Sequence, residues 1–171
     1  MLRYEARLIL EISICMITIR KAVDDDVDFI SRHAYRLLDF ELPAWRANEK
    51  DEMTKADVRH IMKSMFSKGN EPQVFIALDS SGQRCGFIHL DMQRDYYTDE
   101  LSAHIRDIVV IAEAEGKGIG KALLQKADEW AKQNKARWIT LNVFEENKHA
   151  REVYEKTGYQ VEWVRYLKVL S

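Results

Sequence analysis

A chain of 171 residues is long enough for one domain with a substantial core. Its 46% hydrophobic and 32% charged content is the ordinary balance of a soluble globular protein, and a net charge of −2 argues against a general nucleic-acid binder. The two cysteines, Cys15 and Cys85, have no metal-like spacing, which points to reduced thiols in a cytoplasmic protein without a metal centre.

In chain order, the first feature is the apolar run Leu8 to Ile19. Glu11 interrupts it, it is too short to cross a bilayer, and no small-residue cleavage site follows, so neither an anchor nor a signal peptide is expected. Residues 1–15 read as an extension, an upstream start or an added strand, ahead of a domain over 16–171. Met16 to Arg20 reads as a first strand. Asp24 to Phe40 reads as a helix with an acidic first turn that suits its dipole. Thr54 to Phe66 reads as a second helix, with Val58, Ile61, Met62, Met65 and Phe66 as its apolar residues.

Val74 to Leu78, a Ser80–Gln83 turn and Cys85 to Asp91 read as a hairpin. Leu101 to Ile111 is a central strand rich in β-branched residues. After the next helix come a strand over Trp138 to Phe144, a helix over Asn147 to Thr157 and a last strand from Tyr159 to about Leu170. Mixed strands and helices with an early hairpin predict an α+β fold, a largely antiparallel sheet covered by helices. The long last strand could pair across a homodimer.

Between the central strand and the helix over Lys121 to Gln133 lies Glu115-Gly116-Lys117-Gly118-Ile119-Gly120-Lys121. Glycines let the backbone pass close to a ligand, and the new helix presents unpaired N–H groups and the positive end of its dipole. That combination makes an anion site suited to phosphate. A Walker-type loop is excluded because Glu115 stands where its first glycine belongs and Ala122 where Ser or Thr belongs. A dinucleotide fingerprint is excluded because the pattern is G-x-G-x-G. Downstream, Asn147 is placed to cap a helix and Gly158 to end it, while Asn147, Ala150 and Tyr154 share one face at i, i+3 and i+7.

The loop resembles the acetyl-coenzyme-A pyrophosphate loop of the GNAT acetyltransferases, Q/R-x-x-G-x-G/A. Gly118 and Gly120 match its glycines, while Glu115 replaces the usual Gln or Arg and Lys117 and Lys121 offset that acid. The segment from Asn147 to Tyr159 resembles the family's second signature, N-x-x-A-x-x-x-Y-x-x-x-G-Y/F, at every fixed position. Met16 to Ala22 is similar to the family's first strand. The resemblance covers roughly Met16 to the C-terminus, with its specific residues in 104–159.

What the resemblance implies is a mixed, largely antiparallel sheet of six or seven strands whose central pair splays apart to admit acetyl-CoA. The backbone of Ile108, Val109 and Val110 would bond the pantetheine arm. Residues Glu115 to Lys121, with Asn142 and Asn147, would complete the coenzyme site.

Acetyl transfer to an amine needs a neutral amine, donors for the oxyanion and a proton for the leaving thiolate. By resemblance Tyr154 is the general acid. Some relatives carry a Glu base five residues before the motif Asn, but here that position is Asn142, which could only hold a water. Other relatives place a base early on the central strand, where His104 stands and titrates near neutrality. Strict alternation puts His104 and Arg106 on one strand face and Asp107 on the other, which leaves Asp107 and Glu100 as weaker candidates.

The expected acceptor is a small amine, a cationic one if Asp39, Glu41, Asp95, Asp99 and Glu100 with Trp45, Tyr96 and Tyr97 line its site. Two alternatives stand beside the enzyme: a catalytically silent acyl-CoA sensor, and an enzyme that acetylates a protein.

Overall fold

The computed structural model describes residues 17–66 and 73–170. The extension expected over residues 1–15 lies outside them. The elements are β1 (Thr18–Lys21), α1 (Val27–His33), α2 (Lys50–Met65), β2 (Gln73–Leu78), β3 (Arg84–Arg94), β4 (Leu101–Val110), α3 (Ile119–Gln133), β5 (Ile139–Leu141) and α4 (Lys148–Lys156). Short 3₁₀ turns at Asp24–Asp26 and Ala34–Leu38 flank α1, and another at Ala44–Glu49 precedes α2.

The five strands form one sheet in the order β1-β2-β3-β4-β5, antiparallel except for the parallel pair β4–β5. One face packs on α3: Ile88, Leu90, Ala103 and Ile105 meet Leu123, Leu124, Ala127 and Trp130. The other packs on α1 and α2: Val74, Ile76, Phe87 and Val109 meet Ile30 and Ile61. The buried residues of α3 fall at 119, 123, 124, 127, 130 and 131, the helical spacing expected of that segment. Among the described residues no helix is long and apolar enough to cross a membrane.

Three expectations are corrected. The helix expected over Asp24 to Phe40 is broken into a 3₁₀ turn, α1 and a second 3₁₀ turn. The reason lies in Asp26, which is fully buried and accepts hydrogen bonds from Arg20 (2.6 and 2.9 Å), Arg84 (2.6 Å) and the Val23 amide (2.8 Å). It anchors the chain to β1 and β3 instead of decorating a helix dipole. Burial pushes its carboxyl upward, but the bonds from Arg20, Val23 and Arg84 outweigh that and hold it at about 2.

The second correction is the strand count, five among the described residues in place of six or seven. The third explains it: Tyr159 to Leu170 forms no strand, and its side chains are largely exposed, Trp163 at 62% and Tyr166 at 92%. A strand is made by its ladder as much as by its composition, and β5 is only three residues long.

Candidate active site

β4 and β5 pair only at Ala103↔Ile139, His104↔Thr140 and Ile105↔Leu141. From Arg106 to Val110, β4 has no partner on that side among the described residues. This is the splayed strand pair implied by the resemblance. The strands part where β4 carries a bulge: His89 pairs with Asp107 and Leu90 with Ile105, so Arg106 has no partner of its own on β3.

The bulge shifts the alternation of side chains by one. Before it, Ala103 and Ile105 face α3; after it, Ile108 and Val110 do, and Val109 faces α1 and α2. Asp107 therefore shares a face with His104, against the expectation from strict alternation. Both line a cleft of about 180 Å³ together with Asp57 and His60 of α2, Arg106, and Asn142 just past β5.

His104 is 8% exposed, and its Nδ1 lies 2.8 Å from Thr140 Oγ1. This bond joins β4 to β5 one residue before the strands part. Burial, then the Arg106 guanidinium, lowers the His104 pKa, so the ring is neutral at pH 7 and able to accept a proton. Asp107 is held from behind. Nδ1 of the fully buried His89 donates to its Oδ2 at 2.7 Å, and His89 Nε2 lies 2.8 Å from Ser64 Oγ on α2. Arg106 is taken by Asp91, with Nε donating at 2.8 Å.

Backbone direction also sorts the residues expected to hold the coenzyme arm. The Ile111 amide donates to the Cys85 carbonyl at 2.9 Å, toward β3. By alternation Ile108 and Val110 turn their N–H and C=O groups into the gap, while Val109 turns toward β3. A Cβ on Gly86 would collide with the Val109 carbonyl, which explains a glycine there.

The turn above Val110 has the geometry of an anion cradle. Gly116 and Gly118 have φ of +72° and +83°, and Gly118 is the N-cap of α3. The Ala122 amide donates to the Gly118 carbonyl at 3.0 Å, so Ile119, Gly120 and Lys121 precede the first helical bond and carry N–H groups without helical partners. Lys117 and Lys121 are exposed beside them. Glu115 is bonded by Arg36, whose Nε also donates to the Val110 carbonyl at 2.8 Å. A side chain from the start of the fold thus brings a cation to the position where the resemblance expects Gln or Arg.

Tyr154 sits on α4, packed against the apolar cluster on the α3 face, away from the cleft. Its helix begins and ends as expected. Asn147 Oδ1 accepts from the Ala150 amide at 3.2 Å, and the end is a Schellman motif. There the Gly158 amide donates to Glu155 at 3.2 Å, the Tyr159 amide to Tyr154 at 3.0 Å, and Gly158 has φ +97°. The Tyr154 and Tyr159 rings meet edge to face at 5.7 Å. Burial raises the Tyr154 pKa, which keeps its phenol protonated at neutral pH.

Four of the carboxylates expected to line an acceptor site have partners within the fold. Asp95 Oδ1 accepts from the Tyr97 and Thr98 amides at 3.0 and 2.8 Å, Asp99 pairs with Arg94, Glu100 with Arg137, and Asp39 with Arg36. Asp57 and His60 were missed. The signal available was the polar set Asp57 and Ser64, seven residues apart and flanking buried Ile61 on one helix face.

Residues 32–159 match the Acetyltransferase (GNAT) family. The chain belongs to that family. It is 29% identical over 157 residues to an uncharacterised N-acetyltransferase of Methanocaldococcus jannaschii, covering 88% of this chain and 66% of the relative. It is also 32% identical over 98 residues to an uncharacterised N-acetyltransferase of Bacillus subtilis, covering 53% of this chain and 61% of that protein. The chain thus spans just under two thirds of the length of the curated relatives it matches. Among solved structures, a putative acetyl transfer enzyme from Pyrococcus furiosus superposes with a TM-score of 0.67 at 27% identity, over 90% of this chain and 99% of its own. An aminoglycoside N-acetyltransferase solved with CoA has the same fold, with a TM-score of 0.67 at 18% identity over 91% and 95% of the two chains.

Proposed function

We propose that this GNAT chain transfers an acetyl group from acetyl-CoA to a primary amine by direct attack in a ternary complex. The observation that carries the reading is the arrangement around the β4–β5 gap. A glycine-rich helix start lies at one end, a neutral histidine on one face of the sheet, and a protonated tyrosine on the other.

In this reading the pyrophosphate rests on the N–H groups of residues 118–121, with Lys117, Lys121 and Arg36 supplying positive charge. The pantetheine arm bonds the backbone groups of Ile108 and the N–H of Val110, whose carbonyl is taken by Arg36. His104 takes the proton released by the attacking amine, directly or through a water held with Asn142. Tyr154 gives a proton to the departing thiolate, a transfer between groups of similar basicity. A donor for the carbonyl oxygen as it gains charge comes from the backbone N–H groups of β4 that face the gap.

The test is free-thiol release from acetyl-CoA over a panel of amines, with Tyr154→Phe alongside. The variant should lose about 10²-fold or more in kcat, within the usual range for a general acid, and keep its affinity for the coenzyme. An unchanged kcat removes Tyr154 from the mechanism. Coenzyme binding with no thiol release for any amine replaces the enzyme by an acyl-CoA sensor.

A further inference from the structure

We propose that the cleft between α2 and the β4 bulge is the acceptor site, and that it takes a primary ammonium whose own carbon bears no carboxylate, with Asp57 and Asp107 as its counter-ions. The proposal rests on the acetyl-transfer reading for the fate of that amine, but not for its binding.

Three observations converge on the cleft. Asp57 is half-buried and has no hydrogen bond or ion pair among the described residues. A carboxylate drawn out of water without a partner is costly, and a bound cation would remove that cost. Next, His104 is more than nine-tenths buried. Its Nδ1 is used by Thr140, while Nε2 has no hydrogen-bond partner among the described residues, and the ring lines the cleft. Finally, the local charge is one-sided. Asp57, Asp91 and Asp107 face a single guanidinium, Arg106, which is already held by Asp91.

The groups facing Asp57 come from three elements: His60 beside it on α2, His104, Arg106 and Asp107 on β4, and behind Asp107 the buried His89 on β3. Burial, then the charge of Asp107, pushes Asp57 up to about 6, with His89 acting weakly in the opposite direction.

The same charges determine what is refused. The carboxylate of an α-amino acid would sit one carbon from the ammonium, against two acids, with the nearby arginine occupied. Repulsion of that kind discriminates by excluding the wrong ligand. At about 180 Å³ the cleft holds the amine-bearing end of a molecule while the remainder extends outward.

The experiment titrates CoA-loaded protein by calorimetry with ethanolamine, tyramine and tryptamine, each against the α-amino acid with the same side chain. It is repeated with Asp57→Asn, and thiol release from acetyl-CoA is measured in parallel. At least one amine should bind, at least tenfold more tightly than its amino acid. Asp57→Asn should weaken it about tenfold, as expected for one partly desolvated ion pair, while CoA affinity stays unchanged and reports an intact fold. Wild-type affinity should also fall as pH drops through about 6, since Asp57 gains a proton there while the amine stays charged. Amino acids binding as well as their amines, no amine binding, or Asp57→Asn leaving affinity untouched would each overturn the proposal. Amine binding that depends on Asp57 without thiol release would uphold the site and refute the acetyl-transfer reading. Thiol release with affinity indifferent to Asp57 would do the reverse.

Discussion

At the upper end of the β4–β5 gap, Val110 and the glycine turn are surrounded by Arg36, Lys117 and Lys121, and Arg36 holds the acids Glu115 and Asp39. At the lower end, four residues and roughly 13 Å away along the strand, the bulge opens into a cleft where carboxylates outnumber the one guanidinium. One end offers cations and free helix N–H groups and the other offers carboxylates, on a single strand. In the acetyl-transfer reading an anionic coenzyme gives its acetyl group to a cationic amine, and the charges along β4 match that pair. The middle of the strand, Ile108 and Val109, is apolar and keeps the two fields apart.

The comparison can be broken at either end. The largest effect is expected at the cleft. His104→Ala should lower kcat/KM by about 10²-fold, most at pH values above the histidine's depressed pKa, where the ring is the neutral acceptor, and least below it. A pH-rate profile checks this, and a loss that is flat across pH would remove the base role.

At the upper end, Arg36→Ala leaves Glu115 bare where the acetyl-transfer reading puts the pyrophosphate. Acetyl-CoA affinity by calorimetry should fall about tenfold or more. Arg36→Ala combined with Glu115→Gln should recover most of it, because Gln is the residue the motif expects at that position. If both variants bind equally well, Arg36 is only a structural tether for Val110.

A smaller effect concerns the frame. Asp26→Asn should cost about 3 kcal/mol in chemical denaturation, since it leaves Arg20 and Arg84 without their buried partner. The carboxyl is depressed in the folded protein. Its contribution is therefore present above the unfolded value of about 3.9 and lost as pH falls through about 2. Acid unfolding of the variant should lack that step. The smallest effect is Asn147→Ala, a lost helix cap worth about 1 kcal/mol, measured by thermal melting.

What could be read from the sequence was what is local. The cap at Asn147 and the glycine at Gly158 depend on neighbours within a few positions, and both form as expected. The apolar stripe of α3 depends only on helical spacing. The turn from Glu115 to Lys121 was recognisable because helix-start anion sites are contiguous in the chain. What could not be read was pairing through space. Arg36 reaches Glu115 across 79 positions, and neither residue hints at the other. Ser64, His89 and Asp107 come from three elements. The run His104-Ile-Arg-Asp-Ile looks like regular alternation, and only the partner strand reveals that Arg106 is supernumerary. Tyr159 to Leu170 has the composition of a strand but forms no ladder among the described residues.

That supernumerary residue has a wider consequence. Excise Arg106 in thought, and every other side chain of β4 keeps the face it has now: Ile105 toward α3, Asp107 toward α2, Ile108 toward α3. The sheet would become more regular and its hydrophobic layers would be unharmed. What it would lose is the local bend at the point where β5 leaves β4. The gap thus opens beside an irregularity of one residue in the sheet. Selection for stability alone would tend to erase it.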